Sequence, residues 1–273
     1  MKYTQQSDQT DKRTEALRRL EAAVAAIQDS ESFRQYLDMQ ARFHRYSFGN
    51  VLMIHAQRPG ATFVAGYATW QQLGRQVRKG EKAIRIIVPM RRKVEGEDEA
   101  GDGRLFFGTG AVFDVSQTEG DALPSVECPV LDGNEGAELY DRLLALASTE
   151  GLTVEIADSL DGEMMGYYQP QQRRIVVRRA AMRQMVKTAA HELAHHLGGH
   201  RDSNADSETT AEAVAYVVLS HFGIDSGERS FPYVATWSRD STVLKEALGS
   251  IQRLSAKIID VLTPAAIQAP AAA

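Results

Sequence analysis

Residues 182–199 read MRQMVKTAAHELAHHLGG, and this stretch determines how the second half of the chain is interpreted. Apolar and small residues recur there at helical spacing: Met185, Thr188, Ala189, Leu193 and Leu197. Gly198 follows, where a helix would need a C-terminal stop. The pattern predicts a helix that presents His191 and His195, four residues apart, on one face.

The segment His191-Glu192-Leu193-Ala194-His195 has the spacing of a catalytic zinc site. Zinc prefers nitrogen donors and, in hydrolases, keeps one coordination position for water. Glu192 lies about 100° around the helix axis from His191, where it can act as the catalytic base that takes a proton from that water. The alternative is a surface helix that carries two histidines and a glutamate without binding a metal.

A catalytic zinc site needs a third protein ligand. His200 lies one residue before the position of the third histidine in H-E-x-x-H-x-x-G-x-x-H, and Arg201 occupies that position. The next predicted helix, at about residues 207–222, offers Glu208 and Glu212. Glu212 is the preferred ligand, because its neighbours are apolar and a carboxylate among them is costly without a partner. The alternative is that Glu212 faces solvent on an amphipathic helix. Glu208 could orient a ligand histidine or simply favour the helix N-terminus.

Metal-assisted hydrolysis follows from this set of residues. The metal would lower the pKa of its water and polarise a carbonyl, while Glu192 accepts the proton. The tetrahedral intermediate needs a further hydrogen-bond donor. The candidates are Tyr167, Tyr168, His196 and His200, which the sequence does not rank. Tyr168 is also a candidate to support the metal ligands, and either tyrosine can equally be a packing residue of a strand.

The composition predicts a soluble globular protein of the cytoplasm. Of 273 residues 43% are hydrophobic and 25% are charged. No apolar run approaches the about 18 residues of a membrane span, and the polar N-terminus does not resemble a signal peptide. The single cysteine, Cys128, excludes an intrachain disulfide, which fits a reducing compartment. No membrane partner is expected.

Positive charge is concentrated in residues 71–93, which carry eight basic side chains and one acidic one in a chain of net charge −5. Cations interleaved with aromatic residues suit single-stranded DNA, whose bases stack while its phosphates follow the charge. The candidate DNA-binding residues are Arg45, Tyr46, Trp70, Arg75, Arg78, Lys79, Lys82 and Arg85. In the alternative, Phe48, Phe63 and Trp70 belong to the core and the cations line a solvated hairpin. For any single aromatic residue this alternative is preferred.

Residues 43–86, FHRYSFGNVLMIHAQRPGATFVAGYATWQQLGRQVRKGEKAIRI, and VFDVSQTEGDALP at 112–124 resemble the N-terminal domain of the plasmid antirestriction family ArdC. The segments HELAHH, AEAVAYVV and FPYVATW resemble that family's C-terminal domain, which is similar to the ImmA/IrrE zincins. The resemblance spans about residues 12–240. It implies single-stranded DNA binding, metal ligation by His191, His195 and Glu212, and Glu192 as base. Thr210 replaces the middle glutamate of the E-x-E-A-E pattern of many relatives.

The predicted fold class is α+β, with two domains. The first, residues 12–120, is an α/β single-stranded-DNA-binding domain with a β-hairpin, and the second, residues 137–262, is a zincin-like metallopeptidase domain. Residues 121–136 are predicted as a linker, and 1–11 and 263–273 as disordered tails.

The predicted function is that of a mobile-element antirestriction protein that protects incoming DNA. It would be a zinc metallopeptidase, with Mn²⁺ as another candidate metal and an unknown protein substrate. One alternative is an ImmA/IrrE-like protease that cleaves a regulatory protein. The other is a DNA-binding module whose metal site is only structural.

Overall fold

A computed structural model describes residues 2–92, 104–123, 136–199, 205–224, 231 and 234–263. The helices are α1 (Lys2–Ala25), α2 (Ser30–Arg42), α3 (Phe48–Gln57), α4 (Tyr67–Gln72), α5 (Ala137–Thr149), α6 (Met182–Leu197), α7 (Ala205–His221), α8 (Val234–Trp237) and α9 (Ser241–Leu262). The strands are β1 (Val64–Gly66), β2 (Arg75–Val77), β3 (Ile84–Arg92), β4 (Arg104–Asp114), β5 (Thr118–Gly120), β6 (Thr153–Ala157), β7 (Gly166–Gln169) and β8 (Arg174–Arg178). This mixture confirms the α+β class.

The chain divides into two compact units. The first comprises Met1–Ala26 and Gly49–Leu123, and the second comprises Ile27–Phe48 and Pro124–Ala271. Residues 27–48 therefore pack with the second half of the chain, which the predicted boundaries do not anticipate. The reason is the apolar face of α2, whose Phe33 packs edge-on against Phe231 with ring centroids 5.1 Å apart.

The predicted tails and linker have different outcomes. Residues 1–11 are predicted as a disordered tail, whereas α1 begins at Lys2. No proline or glycine interrupts this polar segment, so the helix can extend through it. Most of the linker predicted at 121–136 and nearly all of the tail predicted at 263–273 lie outside the described residues. The linker and the C-terminal tail stay predictions.

The core strand of the first unit is β4. It pairs antiparallel with both β1 and β3, so that Val112 lies between Gly66 on one side and Ile84 on the other. β3 and β4 form the predicted hairpin, and its tip lies outside the described residues. A second, short pair joins β2 to β5, with Val77 opposite Thr118.

Two side-chain amides of α3 close the outer edge of β3. Asn50 Nδ2 donates to Ile87 O at 2.8 Å, and Ile87 N donates to Asn50 Oδ1 at 2.9 Å. Gln57 forms the same pair of hydrogen bonds with Arg85, at 2.8 and 2.9 Å. Because these amides take the backbone groups that a further strand would use, β3 cannot extend its sheet at these residues.

The second unit surrounds α7, a helix that is apolar on most sides. Residues 213–215 and 217–219 of α7 are all fully buried, as expected for a helix packed on several faces. Helices α2, α6 and α9 pack against it. A three-stranded sheet has the order β6-β8-β7, with β6 parallel and β7 antiparallel to β8. β7 is thus an edge strand, and it packs against α6.

A partly buried histidine pair in the second unit predicts a loss of stability in acid. The rings of His44 and His221 lie 4.6 Å apart, and Asp260 is 3.4 Å from His44 Nε2. Burial lowers the pKa of His44 from 6.5 to about 4, and the charge of His221 contributes to this shift. The nearby Asp260 carboxylate opposes it. The unfolded chain therefore binds more protons between these pH values, so the free energy of unfolding falls as the pH drops from about 6.5 toward 4.

We expect the urea midpoint of the protein to be lower at pH 5 than at pH 7. His44→Gln should reduce this difference, because glutamine does not titrate. A variant that keeps the full difference would show that other groups, such as carboxylates, cause the acid sensitivity.

Among the described helices, none combines the length and the apolar character that crossing a bilayer requires.

Candidate functional site

Helices α6 and α7 bring two imidazoles and one carboxylate to a common point. His191 Nε2 and His195 Nε2 lie 3.1 Å apart. The two oxygens of Glu208 lie 3.2 Å from His191 Nε2 and 3.4 Å from His195 Nε2. One ligand atom from each of the three residues falls within 4.8 Å of the others. Nitrogen and carboxylate donors converging in this way fit a divalent metal such as zinc.

Glu212 lies on the other side of the His191 ring. Its Oε2 is 3.4 Å from His191 Nδ1, and its Oε1 is 2.9 Å from Lys187 Nζ. A carboxylate on the second ring nitrogen commonly fixes the orientation of a metal-bound histidine. Glu208 thus faces both Nε2 atoms and Glu212 faces Nδ1 of His191, whereas the sequence favours Glu212 as the ligand. Burial among apolar neighbours, the basis of the sequence argument, suits an orienting carboxylate equally well.

Glu192 is buried beside this cluster. Only 8% of it is exposed. Burial chiefly raises the pKa of its carboxyl to about 7, with a further contribution from the charge of Glu208, while His191 and the backbone N–H of Tyr168 oppose the rise. A carboxyl with a pKa near neutrality is suited to accept and return a proton.

The neighbouring carboxylates also change the titration of His191. Burial alone would lower the pKa of this imidazole, but hydrogen bonds to Glu208 and Glu212 and the charge of Glu192 raise it to about 9. The site is therefore rich in negative charge, which favours a bound cation.

Gly166 allows β7 to approach α6 closely. A Cβ atom at this position would lie 2.4 Å from Thr188 Cγ2 and 2.7 Å from Val176 O. Both distances are shorter than van der Waals contact, so a side chain would push the strand from the helix. The close approach brings the Tyr168 N–H to the Glu192 carboxylate.

A cleft of about 540 Å³ opens beside Glu192 and the three clustered residues. Its remaining wall includes Met164, Met165, Tyr167, Tyr168 and Pro170. The Tyr168 hydroxyl lies 2.8 Å from His196 Nδ1. Tyr168 is therefore held at the cleft by His196, whereas His200 lies outside the described residues.

The structure separates the predicted DNA-binding residues into different environments. Arg45 and Tyr46 lie in the second unit, where Arg45 Nε pairs with Asp260 at 3.0 Å. Burial raises the pKa of Tyr46 to about 12, and its ring packs edge-on against Phe43. Trp70 is fully buried in the first unit, and its indole N–H donates to Phe113 O at 3.0 Å. A side chain without exposed surface cannot stack on a base, so Trp70 is a core residue.

The arginines of the basic segment have structural partners. Arg75 Nε donates to Thr118 Oγ1 at 2.8 Å. Arg78 pairs with Glu81 at 2.8 Å and donates to Ser116 O. The side chains of Lys79, Lys82 and Arg85 are exposed, which leaves them available for phosphate.

Sequence reasoning missed the large exposed side chains of β4. Phe107 is 52% exposed and Leu105 is 58% exposed. They alternate with Phe106, so the strand pattern was present. It does not show which of the two faces is covered.

Trp70→Ala tests the core assignment. We expect it to lower the free energy of unfolding by about 3–5 kcal/mol, as for other buried aromatic residues. The measurement is urea unfolding of the full chain. Tyr67→Ala is the control, since Tyr67 is 45% exposed in the same unit, and it should change stability by less than about 0.5 kcal/mol. Equal effects of the two substitutions would contradict the assignment.

Comparison with known proteins finds one matching family model, for the first part of the chain. Residues 7–121 match the model of the N-terminal domain of anti-restriction factor ArdC. An uncharacterized protein of Bacillus anthracis is 23% identical over 280 residues, covering 82% of this chain and 46% of that protein. The chain thus spans about half the length of this curated relative.

Two crystal structures of the antirestriction protein ArdC from plasmid R388 are similar to this chain. The metal-free structure matches with a TM-score of 0.50 and 21% sequence identity, and the match covers 78% of this chain and 82% of the ArdC chain. The Mn(II)-bound structure matches with a TM-score of 0.51 and 22% sequence identity, and the match covers 78% of this chain and 87% of the ArdC chain. At this level of identity the similarity shows a shared fold.

Proposed function

We propose that this chain, whose residues 7–121 match the model of the N-terminal domain of anti-restriction factor ArdC, is an ArdC-like antirestriction protein that binds single-stranded DNA and carries a divalent-metal site of the metallopeptidase type. In this proposal the protein accompanies incoming DNA of a mobile element and protects it from host restriction. The proposed metal site is supported chiefly by the convergence of His191, His195 and Glu208 beside the buried Glu192.

We propose His191, His195 and Glu208 as the metal ligands. Zinc fits this donor set, and manganese is a second candidate, since the similar ArdC of plasmid R388 has an Mn(II)-bound structure. A purely structural zinc site is usually closed by four protein ligands. Here three candidate ligands among the described residues border an open cleft, which favours a site that admits a substrate.

The residues around the cleft would share the work of hydrolysis. A bound divalent ion supplies an electrophile and lowers the pKa of a water molecule. Glu192 would accept a proton from water, and the Tyr168 N–H holds its carboxylate in place. Glu212 keeps the His191 ring in position, and Lys187 balances the charge of Glu212. The substrate would be a peptide segment, because the cleft is bordered by a strand edge and apolar side chains.

Exposed cations of the first unit support the DNA half of the proposal. Lys79, Lys82 and Arg85 present their charges to solvent, and among described residues their side chains have no ion pair. Such cations bind phosphates in a salt-dependent manner and carry no sequence preference.

The test combines metal analysis with DNA binding by the full chain. We expect about one divalent ion per chain and stronger binding of a single strand than of a duplex, weakening as salt rises. No DNA binding at low salt would contradict the DNA-binding part of the proposal. It would favour instead a protease that recognises another protein.

A further inference from the structure

The β3–β4 hairpin has one covered face and one open face. Ile84, Ile86 and Val112 are buried on the covered face. On the same face Gly108 accommodates Met90, since a Cβ there would lie 2.5 Å from the methionine sulfur. The β4 residues that alternate with Gly108 and Val112 therefore have their side chains on the open face.

The open face carries apolar surface. Phe107 and Leu105 are large apolar side chains that are exposed there, and Phe107 stands opposite Pro89 in the register. Thr109 and Ala111 continue the same row of β4. A solvent-facing strand would ordinarily place polar residues at such positions, so this face has the character of a binding surface.

Positive charge borders this apolar surface. Arg85 stands opposite Ala111 in the register and is exposed. Lys79 and Lys82, also exposed, precede β3 along the chain. An aromatic ring beside cations matches an unpaired nucleotide, which has a flat base and a charged phosphate.

The other way to bind a partner at β3 is pairing at its outer edge. The amides of Asn50 and Gln57 already hold the backbone groups of Ile87 and Arg85 there. Binding at this part of the hairpin is thereby directed to the open face.

We propose that the open face of β3 and β4, centred on Phe107 and flanked by Leu105 and Arg85, is where the bases of single-stranded DNA stack. The inference rests on the proposed single-stranded DNA binding and identifies its contact surface. Phe107 provides the stacking platform and Arg85 a phosphate contact.

The experiment compares two oligonucleotides of about 20 nucleotides, longer than a typical single binding site. One is oligothymidylate and the other is an abasic chain of equal charge, each bound to the full-length protein and followed by fluorescence anisotropy. We expect the wild-type protein to prefer oligothymidylate. Phe107→Ala should weaken oligothymidylate binding about 5- to 100-fold and leave abasic binding unchanged.

Two further variants separate the contributions. Phe107→Leu should lose nearly as much affinity as Phe107→Ala, because leucine is apolar but has no aromatic face. Arg85→Ala should weaken both oligonucleotides and reduce the slope of log affinity against log salt by about one at most. Ile156→Ala is the matched control, since it truncates an apolar side chain that is 44% exposed in the other unit.

Each contrary outcome has a distinct meaning. If Phe107→Ala binds oligothymidylate as tightly as wild type, this face is not the stacking site, although the DNA-binding function stands. If Phe107→Leu binds oligothymidylate with wild-type affinity, the side chain at this position makes an apolar contact with DNA and does not act by aromatic stacking. If the wild type is a dimer by light scattering and Phe107→Ala a monomer, the face joins two copies of the chain. If the wild type binds neither oligonucleotide at low salt, the proposed function itself fails.

Discussion

Glu208→Ala should lose more metal affinity than Glu212→Ala. Glu208 has an oxygen within 3.4 Å of each histidine Nε2, so its removal takes away one of three ligands. Glu212 contacts the opposite nitrogen of His191, and removal of such an orienting carboxylate typically costs about 10- to 100-fold in affinity. Glu208→Ala should exceed that loss.

The measurement is competition for zinc, and separately for manganese, between each variant and a chelating dye. Glu246→Ala, an exposed carboxylate on α9, should bind metal as the wild type does. Circular dichroism checks that each variant is folded. If Glu212→Ala loses the metal and Glu208→Ala keeps it, the assignment suggested by the sequence is right and the one suggested by the geometry is wrong.

These two glutamates show where sequence reasoning about the site ends. The helical period places Glu208 and Glu212 on one face, one turn apart. Which of them meets the Nε2 atoms depends on how α7 crosses α6, and that crossing is set by tertiary packing. The histidine pair is different, because both of its members lie on one helix and their spacing alone fixes their proximity.

In the fold as well, features set by local sequence can be predicted, whereas features set by tertiary packing cannot. The hairpin predicted for the first domain is present as β3 and β4. The pairing of β2 with β5 was missed, because three-residue strands are too short to show a period. Trp70 and Phe107 are both aromatic residues near cations, and their identity does not tell which is buried. Trp70 lies on α4 and is buried by tertiary packing, whereas Phe107 lies on β4, a strand whose two faces the sequence pattern leaves equivalent.

Glu192→Gln should abolish hydrolysis while sparing the metal and the DNA. Glutamine keeps the shape of the buried side chain, and its amide oxygen can still accept the Tyr168 N–H. It cannot take a proton from water, and loss of a general base typically lowers the rate about 10²- to 10⁴-fold. Metal content, melting temperature and affinity for single-stranded DNA should stay at wild-type values.

Restriction protection is the decisive readout for this variant. The transfer of a plasmid into a restricting host is compared for wild type, Glu192→Gln and the control Glu163→Gln, which changes an exposed carboxylate before β7. If protection requires hydrolysis, Glu192→Gln should behave as the empty vector and Glu163→Gln as wild type. If Glu192→Gln protects fully, hydrolysis is not needed for this role. Protection would then come from covering the DNA, and Phe107→Ala should impair it although the metal centre is intact.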